Sequence, residues 1–441
     1  MFHEKAKATF YAAVDDVVSD ISQYTNNPDK DFTRSRKLPP DKLITFLVSQ
    51  GSSSTKNELL DFFELDAEAP TNSALNQQRA KLKPEGLEAV FKRFNRSIDS
   101  KESSPNYTLI ATDGSSFSFF STPSVSTEEY YVGNGHSAKG FYSMHLNAFY
   151  NLEEHLYTDA FIQPIHQKDE FKAFCAMISR YDASYNEKTI FIGDRGYCSY
   201  NNMAHVINKE QFFLFRTKDI TSRGLVHNFD FPEEESFDIS VVVTLVRTRS
   251  KEIQSVNGYK RFVDKKTSFD FIEFGSTDTY ELSFRVVRFP LSNSSYECIV
   301  TNLPADEFPP QRIEELYSKR WGIESSFRKL KYTIGLSNFH TYKPEYVMQE
   351  IWAKLIAYNI TEFLINHTVI YNEDTKHEYK VNFSVAAHIC RVFLRPSTKG
   401  DSIDVLALLQ RALIPIRNER KYPRLQTAHF RRPRYFIYRA A

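Results

Sequence analysis

The sequence is poor in glycine and cysteine and contains no long apolar run. Glycine makes up 14 of 441 residues, about half the usual share in a globular protein, which excludes a collagen-like or glycine-linker architecture. The four cysteines lie far apart without a Cys-x-x-Cys pair, so neither a disulfide framework nor a cysteine zinc site is expected. Apolar runs stay below the roughly 18 residues of a membrane helix, and the start, MFHEKAKATF, does not resemble a secretory signal. These absences favour a protein of the reducing cytoplasm.

Charge is distributed unevenly along the chain. The formal net charge is +1, yet the segment from Arg391 to the end carries twelve Lys or Arg and three Asp or Glu, a net of +9. The first 390 residues therefore sum to −8. A basic end on an acidic body favours a polyanionic partner, although a solvated surface helix would produce the same pattern.

The basic end also contains aromatic residues. Residues 417–441, which we name the basic arm, carry eight Lys or Arg and one Glu, interleaved with Tyr and Phe. Base stacking combined with phosphate contact is typical of a nucleic-acid surface. The alternative is that these aromatics pack the arm against the body or against a second subunit.

The hydrophobic pattern divides the chain into five regions. Residues 1–105 have helical periodicity, as in DKLITFLVSQ, and predict a helical N-terminal domain that is a candidate for DNA binding. Residues 106–219 predict three strands, a helix, a strand, a helix and a strand, the first part of an α/β core with a mixed sheet. Residues 220–308, rich in Val, Phe and Tyr, predict a large all-β insertion. Residues 309–370 predict helices that complete the core, and residues 371–441 a helical, basic C-terminal region.

Two aspartates directly follow apolar runs that predict strands. Asp113 follows LIAT and precedes a glycine, and Asp194 follows IFIG and precedes Arg195. A carboxylate is costly to bury and does little for folding, and if the two strands are neighbours the carboxylates converge at one sheet edge. Converging oxygen ligands suit Mg²⁺ or Mn²⁺. The alternative is a turn aspartate, since Asp-Gly is a common turn pair.

A third carboxylate lies in a segment that predicts one continuous helix. At about 100° per residue, four polar side chains fall on a stripe roughly 60° wide. They are Tyr317, Arg320, Glu324 and Lys331. A phenol, two cations and an acid suit a surface that holds a metal ion and a phosphate together. A surface helix with ordinary Arg–Glu pairs is the alternative, and the geometry alone does not decide between them.

The spacing Y-x2-R-x3-E-x6-K, from Tyr317 to Lys331, resembles the signature of the insertion-sequence-four family of bacterial DDE transposases. The runs ATDGSS and IFIGDRGY resemble the first and second aspartate motifs of that family. The β-rich segment between Asp194 and Glu324 resembles the insertion found in related transposases. The resemblance covers about residues 35–370 and implies an RNase H-like catalytic core interrupted by that insertion.

The resemblance also implies roles for individual residues. A catalytic, metal-binding triad would be formed by Asp113, Asp194 and Glu324, with two Mg²⁺ or Mn²⁺ ions in each active site. Contacts to DNA phosphates at the transposon end would come from Tyr317, Arg320 and Lys331. Arg195 is a further candidate for phosphate contact, with a structural salt bridge as its alternative. The two tryptophans, Trp321 and Trp352, lie outside the predicted insertion, so an aromatic that stacks there on a flipped base would be Phe or Tyr.

The implied activity is cut-and-paste transposition in the bacterial cytoplasm. A phosphodiester is hydrolysed at each element end, and the freed 3′-OH then attacks target DNA. The implied partner is double-stranded DNA, with a homodimer in the DNA complex, no membrane, and no nucleotide cofactor because no GxxxxGK[ST] motif occurs. Two other functions remain open: a metal-dependent nuclease without strand transfer, and a DNA-binding regulator whose catalytic site is vestigial.

Overall fold

A computed structural model of the chain shows a mixed α/β protein built around one large sheet. It describes residues 2–98, 107–133, 140–182, 188–227, 229–232, 234–250, 258–291, 295–370, 377–396 and 403–416. The predicted basic arm, residues 417–441, lies outside the described residues. No helix within the described part combines the length and the apolar character that crossing a bilayer requires.

The N-terminal region is helical. Its helices are α1 (Phe2–Ser19), α2 (Pro40–Ser49), α3 (Thr55–Phe62), α4 (Asn72–Arg79) and α5 (Pro84–Ile98). Both α2 and α5 begin at a proline, whose fixed φ and missing N–H suit the first helical position. The side chains of Ser54 and Thr71 cap α3 and α4 by accepting backbone N–H bonds. These helices pack on α10 (Pro344–Asn366), and their apolar side chains share one continuous core with the sheet.

Ten strands form the main sheet. They are β1 (Thr108–Phe119), β2 (Tyr131–Val132), β3 (Phe141–Asn151), β4 (Leu156–Pro164), β5 (Thr189–Gly193), β6 (Phe212–Thr217), β7 (Phe237–Val246), β8 (Tyr259–Phe262), β9 (Thr279–Leu291) and β10 (Ser295–Thr301). Their order is β2-β3-β1-β5-β6-β10-β9-β7-β8, and β4 also pairs with β3. Strand β1 is antiparallel to β3 and parallel to β5, which is parallel to β6. The parallel connections pass through α6 (Glu170–Arg180) and α7 (Tyr200–Asn208).

The central strands are buried on both faces. Side chains of β1 alternate between two apolar clusters: Leu109 and Ala111 face the helical core that includes α10, whereas Ile110 joins the cluster around α6 and α7. Strand β5 alternates in the same way. Burial on both faces explains why these strands are nearly continuous apolar runs rather than alternating ones.

The β-rich segment extends the same sheet rather than forming a separate layer. Strand β10 pairs with β6, with Cys298 opposite Thr217, and β9, β7 and β8 follow in order. After β10 come α8 (Pro310–Ser318), α9 (Trp321–Tyr332) and α10. The described C-terminal part contains β11 (Tyr379–Val381), α11 (Phe383–Phe393), α12 (Val405–Arg411) and β12 (Leu413–Pro415).

Candidate active site

Asp113 and Asp194 follow directly opposed residues of two parallel strands. Thr112 of β1 lies opposite Gly193 of β5, where β5 ends, so Asp194 is the first residue beyond that strand. Strand β1 continues past Asp113, which pairs there with β3 alone. The prediction that Asp113 lies at the exit of its strand, and the alternative that it lies in a turn, are therefore both wrong. Asp113 lies inside β1, at the first residue beyond the part of β1 that pairs with β5.

Backbone amides orient both aspartate side chains. The N–H of Gly114 donates to Asp113 Oδ1 at 2.8 Å, and the N–H of Gly196 donates to Asp194 Oδ1 at 2.8 Å. Each carboxylate thereby has one fixed oxygen close to the backbone. The second oxygen is available for another partner.

The segment that carries Glu324 is two helices, not one. Helix α8 ends at Ser318 and α9 begins at Trp321. The N–H groups of Arg320 and Ile323 bond three residues back, at 3.1 and 3.2 Å, as in a 3₁₀ turn. The predicted continuous stripe is wrong here, because a 3₁₀ turn rotates successive side chains further than an α-helix does. Glu324 consequently lies in the first turn of α9, four residues after Arg320.

Asp113 lies within range of the charges of the other two predicted acids. Burial raises the pKa of the Asp113 carboxyl to about 6, and the negative charges of Asp194 and Glu324 raise it in the same direction. The Gly114 N–H and the Arg320 guanidinium oppose this shift. The carboxylate of β1 thus experiences the charge of one carboxylate from the loop after β5 and of one from α9.

Two of the predicted cations border these acids. Arg320 Nη2 donates to Glu324 Oε1 at 2.9 Å, and the arginine side chain is only 7% exposed. The Nζ atom of Lys331 lies 5.0 Å from the centre of the Phe117 ring. Burial lowers the pKa of Lys331, and the charge of Asp113 partly opposes that effect. Both cations therefore interact electrostatically with the acids.

Tyr317 and Arg195 have different surroundings. Tyr317 is 4% exposed, and its buried hydroxyl has no hydrogen-bond partner among the described residues. Burial raises the pKa of that hydroxyl to about 12. Arg195 is exposed in the turn after Asp194, where its charge acts on Glu297 of β10.

Similarity to known proteins identifies the family of this chain. The sequence matches the family described as Transposase DDE domain over residues 104–360, more than half of the chain. The chain belongs to this family. The resemblance to the insertion-sequence-four transposases is thereby confirmed.

Relatives of this DDE domain include two Escherichia coli proteins. The transposase InsG for insertion sequence element IS4, from strain K12, is 27% identical over 157 residues, 33% of this chain and 35% of that protein. The transposase for insertion sequence element IS421 is 31% identical over 67 residues, 15% of this chain and 18% of that protein. The matched regions thus span about a third or less of these relatives. Among solved structures, a piggyBac transposase synaptic complex with hairpin DNA aligns with 88% of this chain and 80% of that chain, at 9% identity and a TM-score of 0.46.

Sequence reasoning missed two ionisable residues beside the acids of the DDE domain. Glu170 lies in the first turn of α6, and His145 lies in β3. A β-carbon on Gly196 would lie 2.9 Å from Glu170 Oε2 and 3.1 Å from Asp194 Oδ1. The acidic pair at residues 169–170 is what an ordinary helix N-terminus contains, so its sequence alone offers no signal of a site. A histidine inside the buried run YSMHLNAFYN is a local signal that could have drawn attention to His145.

Proposed function

We propose that this chain is a transposase that moves an insertion sequence by cut-and-paste transposition. It hydrolyses a phosphodiester at each element end in a divalent-metal-dependent reaction and joins the freed 3′-OH to target DNA. The observation that carries the proposal is that the charges of Asp194 and Glu324 both act on Asp113, although Asp113 and Glu324 are 211 residues apart in the sequence. Membership of the Transposase DDE domain family supports it.

The strand order supports an RNase H-like core. Strands β4, β3, β1, β5 and β6 are consecutive; β3 is antiparallel to both of its neighbours, β4 and β1, and β5 and β6 are parallel to β1. In this assignment residues 106–219 and 309–370 form the core and residues 220–308 form the insertion. The regions before and after, 1–105 and 371–441, are the accessory helical regions.

The donor set fits a hard divalent cation. The negative charges of Asp194 and Glu324 act on Asp113 and, after burial, contribute to raising its pKa to about 6. Carboxylate oxygens are the ligands that Mg²⁺ and Mn²⁺ prefer, so Asp113, Asp194 and Glu324 would hold the metal. When bound, a pair of such ions activates the attacking oxygen and stabilises the leaving oxygen of an in-line displacement.

The neighbouring cations would bind and orient the DNA backbone. Arg320 uses Nη2 for Glu324, and its Nε has no hydrogen-bond partner among the described residues. A guanidinium held in this way can bind a phosphate through its remaining donors. Lys331 adds a point charge beside Asp113, and Arg195 adds an exposed one. Phosphate contact by Tyr317 requires its buried hydroxyl to become accessible when DNA binds.

The proposed partners follow from this chemistry. They are the double-stranded element ends with their inverted repeats and the target DNA, bound by a homodimer in the bacterial cytoplasm. The test is strand transfer by the purified chain with Mg²⁺, using duplexes copied from the inverted repeats that flank its gene. Joined products support the proposal. Cleavage without joining indicates the nuclease, and binding without cleavage indicates the regulator.

A further inference from the structure

Glu170 extends the acidic cluster on the Asp194 side. Its Oε2 and the Oδ1 of Asp194 both lie close to the position that a β-carbon of Gly196 would occupy, at 2.9 and 3.1 Å. The two oxygens are therefore at most about 6 Å apart. Only glycine at position 196 leaves the space between them open.

A buried tyrosine shows that Glu170 belongs to the same cluster as the aspartates. Tyr197 is 1% exposed, and its hydroxyl donates to Asn147 Oδ1 at 3.2 Å. Burial raises the pKa of Tyr197 well above its ordinary value, and the charges of Glu170, Asp113 and Asp194 raise it further. Three carboxylates from three different elements therefore act on one phenol.

The other oxygen of Glu170 is held by two basic groups. Lys168 Nζ lies 2.8 Å from Glu170 Oε1, and His145 Nε2 lies 3.4 Å from the same oxygen. The histidine is 1% exposed, and its Nδ1 pairs with Ser116 Oγ at 3.0 Å. Its Nε2 is at ion-pair distance without hydrogen-bond geometry, so it has no hydrogen-bond partner among the described residues. This buried nitrogen points into the acidic cluster.

The two oxygens of Glu170 thus have separate environments. Oε1 faces Lys168 and His145, whereas Oε2 faces Gly196 and Asp194. His145 and Lys168 lower the pKa of Glu170 to about 2, which keeps the carboxylate charged throughout the neutral range. An ordinary helix N-terminus would account for the charge of Glu170, but not for a buried histidine directed at it.

We propose that Glu170 is a fourth carboxylate of the divalent-cation site and that His145 is its positioning residue. The inference rests on the proposed function, since it concerns the metal of that same site. Glu170 adds an oxygen donor and a negative charge beside Asp194, which strengthens cation binding. His145 acts by holding Oε1, so that Oε2 stays directed towards Asp194.

The test is Mn²⁺ binding by the full chain without DNA, measured by electron paramagnetic resonance or calorimetry. Glu170→Gln is compared with the matched control Glu88→Gln. The side chains of Glu88 and Glu170 are equally exposed, at 24%, and each pairs with a lysine, Lys92 at 41% exposure and Lys168 at 40%. We expect Glu170→Gln to raise the Kd for Mn²⁺ by about tenfold or more, the usual cost of losing a residue that supports a metal site. Glu88→Gln should leave the Kd unchanged.

Asp113→Asn separates this inference from the proposed function. If Asp113→Asn weakens Mn²⁺ binding and Glu170→Gln does not, the fourth carboxylate is disproved and the function stands. If neither variant weakens binding, the proposed metal site itself is disproved.

A double-mutant cycle tests the positioning role. His145→Ala should weaken Mn²⁺ binding. In the Glu170→Gln background, the same substitution should raise the Kd for Mn²⁺ no further. Full additivity would show that His145 does not act through Glu170. Should His145→Ala fail to fold, as judged by circular dichroism, His145→Gln takes its place in the same cycle.

Discussion

Gly114 and His145 are so close that a β-carbon at position 114 would lie 2.4 Å from the imidazole Nε2. Gly114 belongs to β1 and pairs with Asn147 of β3, so it is required by close packing and not by a turn. The imidazole occupies the space of the missing side chain, directly beside Asp113. The glycine in the Asp-Gly pair thus makes room for the histidine that faces the acidic cluster.

Gly114→Ala should destabilise the protein by about 1–3 kcal/mol, because the added methyl group overpacks a rigid site. Urea unfolding measures the effect, and Gly133→Ala is the control, since a β-carbon there would have no atom within 4 Å. In a His145→Ala background the penalty should largely disappear. An equal penalty in both backgrounds would contradict the packing argument.

Asp113 should make the stability of the metal-free protein depend on pH. Folding raises the pKa of this carboxyl from 3.8 to about 6, so its contribution favours the fold below about pH 4 and is lost as the pH rises through 6. Asp113→Asn should therefore increase the unfolding free energy at pH 7.5 by up to about 3 kcal/mol and change it little at pH 4. Urea unfolding in EDTA at the two pH values measures this. A similar effect at both would be inconsistent with the shifted pKa.

Glu324→Gln should abolish cleavage while leaving DNA binding intact. The change keeps the side-chain size, and the amide oxygen can still accept from Arg320, but the ligand charge is lost. We expect cleavage of element-end duplexes with Mg²⁺ to fall by orders of magnitude, and binding in a gel-shift assay to persist. Glu315→Gln, at an exposed position on α8, is the control. Near wild-type cleavage by Glu324→Gln would place the active site elsewhere.

Tyr317→Phe should stabilise the free protein, by about 1 kcal/mol, because it removes a buried hydroxyl that has no partner. Tyr157→Phe is the matched comparison, since the Tyr157 hydroxyl lies 2.8 Å from Ser326 Oγ and its loss should destabilise. Thermal unfolding distinguishes the two variants. If Tyr317→Phe nevertheless cleaves DNA more slowly, the hydroxyl contacts DNA in the complex. Destabilisation equal to that of Tyr157→Phe would show that the hydroxyl is bonded in the free protein.

Removal of residues 418–441 should weaken binding to element-end DNA and flatten its salt dependence. Each lost phosphate contact reduces counterion release by about one ion, and this segment carries seven of the eight cations of the basic arm. Affinity measured across a range of salt concentrations tests the prediction. An unchanged affinity and salt slope, with loss of assembly or stability, would instead make the arm a packing element.

The sequence alone determined the features that depend on local spacing. Apolar runs before Asp113 and Asp194 predict two buried strands, and the intervals from Tyr317 to Lys331 identify the family, which the family comparison confirms. Alternation between strands and helices predicts the mixed α/β architecture. Such signals arise from the periodicity of each element and need no knowledge of distant contacts.

Tertiary structure alone decided where the side chains meet. Strand β1 runs past Asp113 because β3 pairs along its whole length, and the turn at Arg320 replaces a continuous helix. Glu170 and His145 lie close together near Asp194 only because β3 and the start of α6 meet there. Strand partners and helix junctions depend on contacts between residues far apart in the chain, and these contacts leave no local periodicity in the sequence.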